Sequence, residues 1–355
     1  MSRPIFAHID TEALQHNLSV TRRHAPHSRV MAVVKANGYG HGLARVAYAL
    51  WDADGFAVAS VDEAIQLRDL GWIKPILLLE GIFDASEISL CVTHQLSLVI
   101  HNSEQINWLR AAKLKQSIPV FIKFNSGMNR LGFPPANFRI ALAQIQSIPT
   151  LSPITLMSHF ATADDQYGIA TQLAEIQQHF ALLPYPMSLA NSAAILRYPD
   201  THRDWVRPGI SLYGASPFAD TSAASLNLRP AMTLHSQIIA IQTLKTGDAL
   251  GYGRLWVADR DSRIGVVACG YADGYPRHAV TGTPILVNGV RTRTLGRVSM
   301  DMLFVDLTEI PDAKVGSQVI LWGQGLPVED VAAAAGTISY ELLCARAQRV
   351  PERTL

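Results

Sequence analysis

Through the first two-thirds of the chain, short apolar runs alternate with longer stretches whose apolar residues recur every three or four positions. The runs predict strands at 30–34, 55–59, 75–79, 96–100, 119–124, 154–158, 187–190 and 206–212. The amphipathic stretches predict helices at 43–52, 61–70, 103–114, 136–146 and 171–183, with shorter ones near Ala85 and Ala193. Strands that alternate with helices pair in parallel through right-handed crossovers. Eight such units in about 200 residues fit a (β/α)8 TIM-type barrel near the lower end of its size range. A doubly wound sheet is the rival architecture. The count of eight and the lack of a dinucleotide fingerprint favour the barrel.

The pattern changes after Gly214. Residues 215–230 are small, polar and proline-bearing, as a linker would be. From Met232 onward come dense β-like runs with glycine turns, then two short helical stretches at 328–336 and 340–347. The expected organisation is α/β: a barrel domain over 1–230 and a mostly β domain over 231–355. The first few residues are available to pair with the second domain.

Composition narrows the function classes. The 355 residues are 48% apolar and 17% charged, against a usual charged share of about 25%. Such a chain has a large core to bury and is not disordered. Thirty basic and 29 acidic residues nearly cancel, so neither nucleic acid nor an anionic membrane is an expected partner. No secretory pattern opens the sequence, and no apolar run approaches the roughly 18 residues of a spanning helix. Cys91, Cys269 and Cys344 are odd in number and lie far apart, which argues against a disulfide framework or a zinc site. A cytoplasmic protein without a metal is the expectation.

In such a barrel, chemistry gathers at the C-terminal ends of the strands. Lys35 follows the first strand, Lys123 lies in the fifth, His159 follows the sixth, and Asn191 and Ser192 follow the seventh. Arg207, Pro208 and Gly209 lie at the eighth. Lys35 is the most informative, because it passes from a buried strand into the glycine-rich ANGYGHG. An ammonium there is costly unless it is deprotonated or condensed with an aldehyde into an imine. Loops after strands seven and eight are the usual phosphate site of this fold. A reactive lysine facing a phosphate cup points to pyridoxal 5'-phosphate.

The sequence resembles the alanine racemases, fold type III pyridoxal phosphate enzymes, in their proteobacterial form. The motifs are AVVKANGYGHG (32–42), KFNSGMNRLGF (123–133), SHFATAD (158–164), ANSAA (190–194) and WVRPGISLYG (205–214). Beyond the linker come GYGR (251–254), GYADGYPR (270–277), GRVSMDM (296–302) and SYELLCA (339–345). They span nearly the whole chain. The resemblance implies interconversion of L- and D-alanine, either supplying D-alanine for peptidoglycan or breaking it down. It implies that Lys35 binds the cofactor covalently and acts as one base, with Tyr252 as the opposite-face base from the partner subunit of a homodimer. Arg207 resembles the arginine facing the pyridine nitrogen, and His159 the imidazole linking Arg207 to Tyr252. Tyr39, Ser192, Tyr340 and the backbone of Gly209 and Ile210 resemble the phosphate ligands. Arg130 resembles the arginine near the cofactor phenolate, and Tyr271 and Met300 resemble substrate-pocket residues from the other subunit. Lys123 stands where family members often carry a carbamylated lysine, and Ser299 where some relatives have cysteine.

The chemistry agrees with that set. Racemisation removes an α-proton from one face and returns one to the other, which two opposed bases do most simply. A guanidinium only donates, so a facing ring nitrogen stays unprotonated and is a weaker electron sink, which disfavours transamination. Taken singly, Tyr252 reads as a turn residue, His159 as a hydrogen-bonded structural residue and Met300 as core; their joint occurrence in order decides otherwise. Three rivals remain: a broader-specificity amino-acid racemase, a fold type III decarboxylase, and a non-catalytic pyridoxal phosphate carrier.

Overall fold

Eight short parallel strands close into a barrel: β2 (Arg29–Val33), β3 (Gly55–Val58), β4 (Ile76–Leu78), β5 (Ser97–Ile100), β6 (Ile118–Lys123), β7 (Leu151–Met157), β8 (Met187–Ser188) and β9 (Trp205–Val206). The computed structural model describes residues 3–353. Pairing of Arg29 with Trp205 and of Val30 with Val206 closes the ring. These strands are mostly apolar because helices cover their outer face while side chains fill the inside. The predicted barrel and its mostly β companion are both present.

The last two strands are shorter than the apolar pattern predicts. The run at 206–212 is strand only through Val206. Arg207 N then bonds Ala190 O and Pro208 O takes Val33 N, after which Ile210–Tyr213 winds into a 3-10 turn. Residues 210–213 are apolar because they are buried beside the barrel mouth. The run at 187–190 likewise pairs only through Ser188. The short helix expected near Ala85 forms two residues later, at Glu87–Thr93.

β1 (Phe6–Ile9) precedes the barrel but belongs to the other sheet, antiparallel to β10 (Met232–Leu244). Between these strands the chain 215–230 is anchored by Asn17, whose side chain bonds Arg229 through both N and O. A two-stranded ribbon follows, β11 (Ala249–Leu250) with β12 (Trp256–Val257), and its connection holds Tyr252. The remaining strands are β13 (Ser262–Val267), β14 (Pro284–Val287), β15 (Val290–Leu295), β16 (Leu303–Asp306), β17 (Gln318–Trp322) and β18 (Glu352–Arg353). They form one sheet in the order β13-β16-β15-β14-β17-β10-β1-β18, and β13 also pairs with β10. After β17 the helix Ser339–Cys344 brings Tyr340 and Cys344 to the barrel mouth. Among the described residues, no helix is long and apolar enough to cross a membrane.

Candidate active site

β2 ends at Val33, and the chain then makes a turn of unusual hand. Ala36, Asn37, Gly38, Tyr39 and Gly40 all have positive φ, between 50° and 78°. For a residue with a Cβ this conformation costs roughly 1–2 kcal/mol, so surrounding bonds must hold it. Glu63 accepts from Ala36 N at 2.7 Å and from Ala59 N at 2.9 Å, tying the turn to the end of β3. Asn37 Oδ1 takes Leu43 N at 2.8 Å. Buried His41 places Nδ1 2.8 Å from Tyr39 O, and Arg346 Nε donates to Gly40 O at 2.8 Å. Burial holds the His41 imidazole at a pKa of about 4, so it is neutral and Nδ1 donates. The turn aims Lys35 across the barrel mouth, where it is partly rather than fully buried.

Opposite Lys35 a cup forms where the chain leaves β8 and β9. Ser192 Oγ receives Gly209 N at 2.8 Å, Ser211 N at 3.4 Å and the Ser211 hydroxyl at 3.1 Å. The Tyr39 ring stacks on Tyr213 with centroids 4.5 Å apart, and Tyr213 is held by its hydroxyl on Val33 O. That stack brings the Tyr39 hydroxyl to 2.7 Å from where a Cβ on Gly209 would sit, so the missing side chain leaves the cup open. Backbone N–H groups, a serine and two tyrosine hydroxyls make a donor set suited to a phosphate.

Arg207, 3% exposed, lines the same cavity as Lys35 and Ser192. Nη1 donates to Ser188 Oγ at 2.6 Å, and Nη2 to Ser158 O at 2.7 Å and Leu189 O at 3.2 Å. Burial brings its pKa down to about 10, so it remains a cation at neutral pH. Nη2 also lies 3.4 Å from His159 Nδ1. Burial first and Arg207 second hold the His159 imidazole well below its usual pKa, leaving it neutral. The other ring nitrogen, Nε2, lies 3.5 Å from Asn191 Nδ2. Lys123, buried at the end of β6, is pushed down to about 8 by burial, then by Arg207, Arg130 and Lys35.

One cavity of about 580 Å³ collects Lys35, Tyr39, Lys123, Arg130, His159, Ser192, Arg207, Gly209, Ile210 and Tyr340. Asn191 and Cys344 line it as well. Four cations face Glu80, the only carboxylate of its lining. That balance favours an anionic ligand carrying more than one negative group. Tyr252, Tyr271 and Met300 do not line this cavity; they lie exposed on the second unit.

The N-terminal and C-terminal domain models of alanine racemase match residues 9–217 and 231–354. The chain belongs to the alanine racemase family. It is 56% identical over 357 residues to the alanine racemase of Nitrosospira multiformis, covering 100% of both chains. To that of Thiobacillus denitrificans it is 59% identical over 349 residues, 98% of this chain and 95% of the relative. The biosynthetic alanine racemase of Pseudomonas aeruginosa superposes with a TM-score of 0.97 at 49% identity, covering 99% of each chain. The alanine racemase of Bartonella henselae, solved with covalently bound pyridoxal phosphate, gives 0.89 at 28% identity, again over 99% of each.

Within this racemase family framework, the pattern of the sequence overlooks several residues that build the site. Glu63 and His41 hold the left-handed turn, Tyr213 backs Tyr39, and Glu80 faces the cavity's cations. Glu63 stands three residues after a Ser60 helix cap, a position normally explained by the helix itself. The only legible sign of its second role is its closeness to the end of β3.

Proposed function

We propose that this chain interconverts L- and D-alanine with pyridoxal phosphate through two bases, Lys35 and Tyr252 of the partner subunit. The racemase activity and the cofactor come with the family. The residue assignments rest chiefly on one observation: the cavity holds Lys35, Arg207 and the phosphate cup, while Tyr252, Tyr271 and Met300 lie exposed outside it. Pyridoxal phosphate, when bound, supplies the electron-withdrawing ring that makes the amino acid's α-proton acidic.

The chain's own groups do the rest. Ser192, Tyr39, Tyr340 and the amides of Gly209 and Ile210 hold the phosphate. Lys35 would hold the cofactor at its Nζ, and its amine would hold or return the proton on one face of the substrate. Arg207 faces the ring nitrogen with Nε–H, an edge its bonds to Ser188, Ser158 and Leu189 leave to a ligand. It keeps that nitrogen unprotonated, since it has no proton to give up at neutral pH. A proton on His159 Nε2 would bond the phenolate of Tyr252 of the partner subunit and favour the ionised base. Arg130 binds near the cofactor phenolate, and Met300 and Tyr271 complete the substrate pocket from across the interface. Lys123 is readily neutral near pH 8, and a carbamate on it would answer the charges of Arg130 and Arg207.

A two-fold homodimer follows, each barrel mouth facing the β unit of the other copy. The apolar side chains exposed around Tyr252, among them Leu255, Val257 and Met302, suit a buried interface. The chain is organised as a cofactor-binding unit over 1–230 and a β unit over 231–355, with β1 crossing to the second. Its free cysteines suit a reducing compartment such as the cytoplasm.

The test is incubation with L-alanine in D₂O, following chirality and α-deuteration together, for wild type and Tyr252→Phe. Wild type is expected to give both enantiomers deuterated. Tyr252→Phe should lose about 10²–10⁴-fold in racemisation while binding cofactor and still exchanging the α-proton of one enantiomer. Wild-type racemisation rates in Tyr252→Phe would overturn the two-base assignment; pyruvate or an amine as main product would overturn the reaction.

A further inference from the structure

The loop 270–274, which holds Tyr271, and the loop 299–302, which holds Met300, are bonded backbone to backbone. Tyr271 N donates to Ser299 O and Ala272 N to Met300 O, each at 3.0 Å. A Cβ on Gly270 would lie 2.3 Å from both of those carbonyl oxygens, so this approach requires glycine. The side chains of Tyr271 and Met300 are therefore set relative to each other by main chain, and whatever holds one loop holds both.

Asp273 lies within this pair, its side chain wholly inaccessible. Oδ2 accepts from Gly270 N at 2.9 Å and Arg3 Nη2 at 3.1 Å; Oδ1 accepts from Arg3 Nη1 and Arg349 Nε, both at 2.8 Å. Each arginine also grips the second loop. Arg3 Nη2 donates to Asp301 O at 3.0 Å, and Arg349 Nη2 to Asp301 Oδ1 at 2.7 Å. The two cations come from near opposite ends of the chain, far from the elements that carry the loops. A turn as short as 270–274 needs neither of them to form: Gly270 O already takes Asp273 N, and Tyr271 O takes Gly274 N. Two forks spanning two loops do something else, which is to fix how the joined pair projects from the sheet.

We propose that Asp273, clamped by Arg3 and Arg349, is a positioning residue that fixes Tyr271 and Met300 for the substrate pocket of the partner subunit. This rests on the reading above that these two side chains act across the interface. A displacement of the pair by an ångström or less is felt by the substrate, because the pocket is small and alanine offers few other contacts.

Arg349→Ala tests the clamp, since Arg349 is partly exposed and its loss leaves Asp273 with Arg3 and Gly270. The holoenzyme variant is expected to show KM for L-alanine raised about tenfold, with kcat and Tm much less affected. Arg349→Lys keeps the charge without the fork that spans both carboxylates, and should leave KM raised. An unchanged KM in Arg349→Ala, or full recovery in Arg349→Lys, would overturn the proposal. So would a loss confined to kcat that follows the folded fraction, which marks a merely structural contact. A hybrid dimer of a Lys35→Ala subunit with an Arg349→Ala subunit separates this from failure of the shared-site reading. Its single working barrel belongs to the Arg349→Ala subunit and borrows intact loops, so KM should return to the wild-type value. A KM that stays raised would overturn action across the interface and leave the clamp acting within its own subunit.

Discussion

The contact between Gly209 and the Tyr39 hydroxyl makes the phosphate cup testable with one methyl group. In Gly209→Ala the new Cβ would sit 2.7 Å from that oxygen, about 0.5–0.8 Å short of ordinary contact. Tyr39 has little room to yield, being 7% exposed and stacked on Tyr213. Its hydroxyl is therefore pushed off the phosphate position. A hydrogen bond to a charged group contributes roughly 1.5–3 kcal/mol, so cofactor affinity should fall about 10- to 100-fold. Tyr39→Phe removes the same bond without moving the chain. Once the hydroxyl is gone, the nearest Tyr39 atom to the new methyl is Cζ at 3.5 Å, an ordinary contact. Gly209→Ala should then cost less affinity for pyridoxal phosphate in the Tyr39→Phe background than it does in the wild type. Whatever the alanine does to the backbone itself is common to both backgrounds and cancels in the cycle. The assay is titration of cofactor-stripped protein with pyridoxal phosphate, followed by absorbance of the lysine-bound chromophore. Additive losses, with the double variant weaker than Tyr39→Phe by the full Gly209→Ala factor, would refute the reasoning.

Three further outcomes follow from buried charge. Burial pulls the Lys123 pKa from the ordinary 10.5 down to about 8 in the folded chain, so the folded state binds its proton less well. Stability should therefore rise as pH climbs from about 8 to 10.5 and be lowest below 8, by about 3 kcal/mol at the limit. Lys123→Met in CO₂-free buffer should raise Tm at pH 7 and lose that advantage above pH 10.5; an advantage independent of pH would contradict this account. Because only the neutral amine reacts with CO₂, a ¹³C-bicarbonate NMR signal from Lys123 should grow as pH rises through 8, and a pH-independent signal would count against it. Arg207→Lys cannot serve Ser188, Ser158 O and Leu189 O together from one ammonium. It should cost about 1–3 kcal/mol in urea unfolding, and equal midpoints and slopes would refute it.

Much of the site was legible in the sequence because a barrel brings strand ends together by construction. Lys35, His159 and Ser192 follow predicted strands, Lys123 and Arg207 lie within them, and one cavity collects all five. The apolar period reports only which local surface is buried, however, and so it misread 206–212, where burial comes without strand pairing. It was equally silent on hand: the left-handed turn at 36–40 depends on Glu63, His41 and Arg346, whose bonds span 2 to 306 positions of chain. Asp273 in GYADGYPR reads as a polar turn residue until Arg3 and Arg349 are found on it. The sequence by itself determined the alternation of elements, the break near 215–230 and the chemical types at the strand ends, because each is written in local spacing. Only the tertiary structure decided that Tyr39 backs Gly209 and that Arg207 is shared among Ser188, Ser158 and Leu189. Both depend on contacts between distant segments, which follow from how the elements pack.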